Sequence, residues 1–293
     1  MTGIRISRAE ALTTLQDAGR PGLLAYGVSA SGPMDRAAFE RAGGWLGGAG
    51  STGIEFTSGG IGFEVEAGPL AVAADGGAFV LTINGTAFAW PARAVLKAGD
   101  VVDIRPGAWG NWGYLRFGHE LAVEPVLGSR STNSIAGLGQ MIGAGDIIAF
   151  GAEAARRMAP HPRLTEPVQG PIRVLWGLHA DGFDGASRRR FTEEQFRVSA
   201  RMDRMGTRLE DRAGVFRDLR VLSLVSDAIV PGDVQILGDG TPIVLMRDHQ
   251  PTGGYPRIAT IVSADLDRFA QLRPGAEVRF EPVSLRHARE LKP

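Results

Sequence analysis

The chain contains no cysteine, which removes disulfides, thiolate nucleophiles and zinc-thiolate sites from consideration and fits a reducing compartment such as the cytoplasm. Neither sign of charge is in excess, since 32 Lys and Arg balance 32 Asp and Glu. A broad nucleic-acid footprint and electrostatic attachment to a membrane are therefore not expected. No stretch approaches the ~20 apolar residues a spanning helix needs, and MTGIRISRAEALTTLQD at the N-terminus lacks the basic-then-apolar pattern of an export signal. A soluble cytoplasmic protein is the expectation. Familiar catalytic signatures are missing too: there is no Walker loop, no G-x-G-x-x-G after a strand, no G-x-S-x-G elbow and no H-E-x-x-H. His119, His161, His179, His249 and His287 are scattered without metal-ligand spacing, so no metal site is expected.

Turn chemistry is what the chain has in quantity. Its 41 Gly and 17 Pro punctuate short alternating or β-branched runs such as IRIS, IEFT, GFEVE, FVLTI, VVDIR, YLRF, DIIAF, IRVLW and RIATIV, the pattern of a mainly antiparallel β protein. Asn84-Gly85 between FVLTI and TAFAW predicts a tight hairpin, because both residue types accept positive φ. Few helices are expected. One begins near SGPMDRAAFERAGGWLGG, with Ser31 as cap, Pro33 in the first turn, and Met34, Ala38, Ala42 and Trp45 on one face. Shorter ones follow Ser263 and Ser284. The length of 293 residues suggests two domains of ~100 to 150 residues each. The Pro-rich, aperiodic RRMAPHPRLTEPVQGP marks a boundary, with domains expected at 1–160 and 161–293. LKAGDVVDIRP at 96–106 and LRPGAEVRFEP at 272–282, with the related GAGDIIAF at 143–150, repeat a Gly turn feeding a strand; common turn chemistry and a duplicated barrel both account for this.

Four polar stretches are candidates for function. LQDAGRPGLLAYGVSASGPMDR gathers Asp17, Arg20, Ser31, Asp35 and Arg36 in a Gly-rich segment, where the carboxylates could equally cap local turns. In PVLGSRSTNSIAGLG, Arg130 lies between serines and either holds an anion or ties a loop down. RVSARMDRMGTRLED places Arg201, Asp203, Arg204 and Arg208 around a Gly; a salt-bridged edge strand explains them as well as a site does. The fourth, RDHQPTGGYPRIATI, ends an apolar run with Asp248, His249 and Gln250, turns through Pro251, Thr252, Gly253, Gly254 and Tyr255, and resumes a strand. Asp248 and His249 are candidate proton-transfer groups, and backbone N–H groups near Gly253 and Gly254 are candidate oxyanion donors. A bulged hairpin with satisfied polar groups is the other reading of the same residues.

DAGRPG, SGPMDR, PVLGSRST, MDRMGTRLE, VPG and PTGGYPRIATI occur in this order over nearly the whole chain. Together they resemble the biotin-dependent carboxyltransferase family, also called allophanate hydrolase subunit 2. The chain departs from it at Pro251 and Arg257, where many relatives have Thr and Lys, and at Thr207, where an aromatic is usual. The resemblance implies a mainly β fold of two cyclophilin-like β-barrel domains with few short helices. It also implies a KipI- or PxpB-like companion, with a PxpA-like protein as a further candidate, and a small amide substrate: 5-oxoproline opened to glutamate at the expense of ATP, or urea carboxylated from carboxybiotin. Neither cofactor is expected to be bound tightly by this chain; ATP is assigned to the complex. Under this reading Asp248, His249, Gly253 and Gly254 are the catalytic candidates. Asp35, Arg36, Arg130, Asp203, Arg204, Gln250, Thr252 and Tyr255 are the substrate-binding ones, with Arg130 or Arg204 placed on a carboxylate or carboxybiotin oxygen. A KipA-like regulatory protein that antagonises a KipI-like kinase inhibitor, without chemistry of its own, is the alternative.

Overall fold

A computed structural model of the chain describes residues 3–47, 50–154, 168–218 and 224–291. The fold is mainly β, with few short helices and a nearly closed barrel sheet. It groups into two compact units, Met1–Pro21 with Ser31–Glu166, and Gly22–Ala30 with Pro167–Pro293. The boundary expected at 160/161 lies outside the described residues.

The first unit holds two sheets. One has seven strands in the order His119–Leu121, Ile147–Glu153, Gly3–Ala9, Ile61–Ala67, Val101–Trp109, Ala78–Ile83 and Thr86–Phe88; the other has five, in the order Thr14–Gln16, Gly53–Thr57, Trp112–Phe117, Leu70–Asp75 and Ala92–Leu96. Alternation decides which side chains go inward: Ile61, Phe63 and Val65 are fully buried while Glu64 and Glu66, alternating with them, are exposed. They join Ile4, Phe56, Leu81, Ile104, Leu115 and Phe117 in one core drawn from both sheets. The second unit is built on an eight-stranded sheet ordered Glu277–Val278, Phe196–Met202, Gly206–Glu210, Pro242–Leu245, Asp233–Ile236, Arg257–Ile261, Ile172–Trp176 and Phe280–Pro282. Stacked Phe191 and Phe280, with ring centroids 4.8 Å apart, lie in its interior beside Phe196 and Phe216.

The Asn84-Gly85 hairpin forms as its chemistry requires: φ is 52° at Asn84 and 76° at Gly85, and the Asn84 side chain accepts from Val101 N and donates to Asp100, both at 2.8 Å. The repeated turn phrase is one structure three times. Asp100 N donates to Lys97 O, Asp146 N to Gly143 O and Ala276 N to Arg273 O, with Gly99, Gly145 and Gly275 all at positive φ.

Helices span Arg36–Trp45, Gly185–Glu193, Ser263–Ala270 and Leu285–Glu290. The first is capped by Asp35, whose carboxylate accepts from Ala38 N at 2.9 Å; the expected cap, Ser31, instead sits in a left-handed turn at φ 58°. Ser284 does cap the last helix, accepting from His287 N. Ser263 is a helical residue preceded by Val262. The helix GASRRRFTE has little sequence signal: beyond its Asp184 cap, only Ser187 and Phe191 are buried, which leaves a weak apolar stripe.

Candidate functional site

In the first unit the DAGRPG and PVLGSRST stretches bind each other. Asp17 Oδ1 accepts from Ser129 Oγ at 2.5 Å, Ser131 Oγ at 2.7 Å and Gly19 N at 2.8 Å, and Oδ2 accepts from Arg130 N at 2.6 Å. Burial would push this carboxyl up, but those hydrogen bonds outweigh it and hold Asp17 below the usual carboxylate range. Arg20, buried, donates to the carbonyls of Ser129 and Ser131. Arg130 Nε donates to Val123 O, and its guanidinium lies 3.7 Å from Glu120. These contacts tie loops together.

Asp35 is committed to its helix cap, and its backbone N donates to Tyr114 Oη at 2.7 Å; Arg36, the first residue of the helix, is exposed. Burial, with Glu55 and Asp35 close by, raises the Tyr114 hydroxyl well above its ordinary range, so it stays protonated and donates to Glu55. Glu55 in turn accepts from Met34 N at 2.7 Å. Sequence reading found Asp35 but not Glu55 or Tyr114, which lie on strands remote from it and carry no local signal.

In the second unit the turn at 247–257 is assembled around an ion pair. Arg204 Nε donates to Asp248 Oδ2 at 2.9 Å and its Nη2 to Oδ1 at 3.0 Å, with side-chain exposures of 1% and 0%. The same two residues are joined again through Asp248 N and Arg204 O. Asp248, expected to transfer a proton, is thus a buried carboxylate with both oxygens on a guanidinium. Asp203 is exposed and closes the preceding turn, accepting from Met205 N and Gly206 N.

His249, also buried, has Nδ1 2.5 Å from Gln250 O. A carbonyl only accepts, so Nδ1 carries the proton and Nε2 keeps its lone pair. Burial depresses the imidazole below its ordinary range and keeps it neutral. Gln250, Thr252 and Tyr255 beside it in the turn are exposed.

The two glycines have a reason within the chain. A Cβ on Gly253 would lie 2.6 Å from Gln235 Nε2, and one on Gly254 3.1 Å from Leu224 O. Residues 252–253 pair with Asp227–Ala228, and Arg257 closes the turn by donating to Ala228 O and Asp227.

A cofactor bearing a carboxyl group, such as carboxybiotin, needs a guanidinium with donors to spare. Arg204 has Nε and Nη2 on Asp248, whereas Arg130 has Nε on Val123 O and a terminal nitrogen 3.7 Å from Glu120. Among the described residues no cluster of three or more His, Asp or Glu side chains is disposed to hold a metal, and no helix is long and apolar enough to cross a membrane. The sequence singled out Arg201 and Arg208 but not the cleft in the second unit that they line together with Arg217, which comes from a separate segment.

The chain belongs to the family described as carboxyltransferase domain, subdomain A and B, which it matches over residues 26–282. It is 33% identical to the 5-oxoprolinase C subunit of Escherichia coli (strain K12), over 97% of this chain and 93% of that protein. The corresponding Haemophilus influenzae protein is 30% identical over 99% and 94%. Urea amidolyase of Saccharomyces cerevisiae is 28% identical across 99% of this chain but only 17% of its own length. Among solved structures, Kluyveromyces lactis urea carboxylase superposes with a TM-score of 0.84 at 25% identity, over 99% of this chain and 28% of that one. TTHA0988 gives 0.85 at 27%, over 96% of this chain, which spans about half of it, 55%.

Proposed function

We propose that this chain is the C subunit of an ATP-dependent 5-oxoprolinase, acting with PxpB- and PxpA-like companions to open 5-oxoproline to glutamate. One observation carries the reading: the match to two 5-oxoprolinase C subunits runs end to end on both sides, 97% against 93% and 99% against 94%, whereas the urea amidolyase match takes up 17% of a much longer protein. The role in an amide-cleaving system follows from the same relatives.

In this reading water adds to the lactam carbonyl carbon, the ring C–N bond breaks, and the departing nitrogen takes a proton; ATP hydrolysis, entered through the companions, drives the step. His249 Nε2, left with its lone pair by the Nδ1 hydrogen bond to Gln250 O, takes the proton from water and returns it to nitrogen. Arg204 and Asp248 hold the backbone that carries His249, and Asp203 steadies the turn that carries Arg204. Gln250, Thr252 and Tyr255 line the substrate, and N–H groups at Gly253 and Gly254 face the developing oxyanion. Asp35, Arg36 and Arg130 serve the loops and helix of the first unit. The test is reconstitution of the chain with its companions and measurement of ATP-dependent glutamate release from 5-oxoproline. A complex that ignores 5-oxoproline but carboxylates urea with a biotinylated carrier would move the assignment to a urea carboxylase component.

A further inference from the structure

A cleft of about 460 Å³ opens in the second unit, within the size range of about 300 to 1,000 Å³ typical of small-molecule sites. Ser199 and Arg201 reach it from strand Phe196–Met202, Arg208 from the paired strand Gly206–Glu210, Asp211 and Arg217 from the loop that follows, and Asp239 from the turn before Pro242–Leu245. Strand alternation puts them there: Thr207 and Leu209 are buried against the sheet interior, which leaves Arg208 on the opposite face.

The arginines of this cleft are not tied down as others in the unit are. Arg190, Arg204 and Arg257 each donate to carbonyls or carboxylates. Arg201, Arg208 and Arg217 have no side-chain hydrogen bond or ion pair among the described residues. The carboxylates nearby are partly engaged. Glu210 lies 3.4 Å from Arg212, Asp239 Oδ1 accepts from Thr241 N at 2.9 Å, and Asp211 Oδ2 accepts from Phe216 N at 2.8 Å. Asp211 Oδ1 is buried and has no partner among the described residues. The cleft carries both signs, since the Arg208 charge helps to lower the Asp239 carboxyl, and what its three arginines offer a ligand is unengaged N–H donors that a bound oxyanion can take up. An unpaired buried acceptor is likewise relieved by a donor.

The cleft walls are held in place. Arg190 donates to Ala213 O at 2.7 Å and Gly214 O at 3.2 Å, and the loop packs so closely on the Asp239 turn that a Cβ at Gly240 would lie 2.7 Å from Phe216 O. A preformed cleft loses little entropy on binding. We propose that it binds a small molecule carrying a carboxylate or phosphate oxyanion, held by Arg201, Arg208 and Arg217, with an O–H or N–H donor directed at Asp211. Binding here is a property of this chain and stands apart from the chemistry assigned to the His249 turn.

The test is calorimetric titration of the full chain at constant ionic strength, with inorganic phosphate in one series and malonate in another, so that the two oxyanion classes are separated. Saturable binding of one or both is expected. Arg201→Gln/Arg208→Gln should weaken it by about tenfold or more, as loss of charge-assisted hydrogen bonds implies, with the far-UV circular dichroism unchanged. Should that double variant fail to fold, Arg217→Gln, an exposed loop substitution, must weaken the same binding. Absence of saturable binding by either anion, or wild-type affinity in a folded variant, overturns the proposal.

Discussion

Asp248 and His249 are adjacent in sequence and both buried, but held differently: Arg204 matches Asp248 oxygen for nitrogen, while burial depresses the His249 imidazole. Replacing Asp248 by Asn leaves the Arg204 guanidinium buried without its counter-charge, so a loss of about 3 to 5 kcal/mol in chemical denaturation is expected; near-wild-type stability would show the pair to be dispensable. His249 gives a pH signature of known sign. Its folded pKa is depressed, so below the unfolded value of about 6.5 the unfolded chain binds a proton that the folded chain does not. Stability attributable to this residue is complete above that pH and declines as pH falls through it toward the folded value. Denaturation midpoints from pH 8 to pH 5 should therefore fall less in His249→Gln than in wild type, and parallel curves would refute the depressed imidazole. The residue types in this turn were legible in the sequence, as were Arg204 and Asp248 separately. Their pairing was not, because it joins positions 44 apart that carry no shared local pattern.

Elements whose cause is local were the legible ones. The Asn84-Gly85 hairpin and the three Gly turns follow from residues that tolerate positive φ, and they form where the sequence puts them. Gly85 sits at φ 76° with nothing within 4 Å of a built Cβ, so Gly85→Ala meets backbone strain alone and should cost about 1 to 2 kcal/mol in thermal denaturation; no measurable loss would mean that the turn relaxes. Two helical features escaped the same reasoning. Helix Gly185–Glu193 carries three consecutive arginines, and its anchoring comes from Phe191 packing on Phe280 and Phe196, a tertiary effect. The Ser31 cap failed because the chain makes a left-handed turn there and reaches the helix only at Asp35. Strands Phe196–Met202 and Gly206–Glu210 were obscured by their arginines, of which Arg201 and Arg208 line the cleft while Val198 and Leu209 are buried.

At the scale of the whole molecule, the chain lacks a nucleotide-phosphate loop yet matches, along almost its full length, proteins that are subunits of an enzyme. The two facts fit together if energy coupling resides in the companions and this chain handles the amide. The purified chain should then show no ATP hydrolysis and no glutamate release from 5-oxoproline, and both should appear on adding the companion proteins. Within that complex His249→Gln should lower kcat by about 10² to 10⁴, the range for loss of a general acid–base group, with KM and assembly by size-exclusion chromatography little changed. Asp248→Asn should act differently, because its effect passes through the position of the turn: activity and thermal stability should fall together, and an osmolyte that restores folding should restore part of the turnover. A His249→Gln complex that turns over at the wild-type rate would remove the imidazole from the chemistry while leaving the family role of the chain intact, and ATP hydrolysis by the chain alone would overturn the division of labour itself.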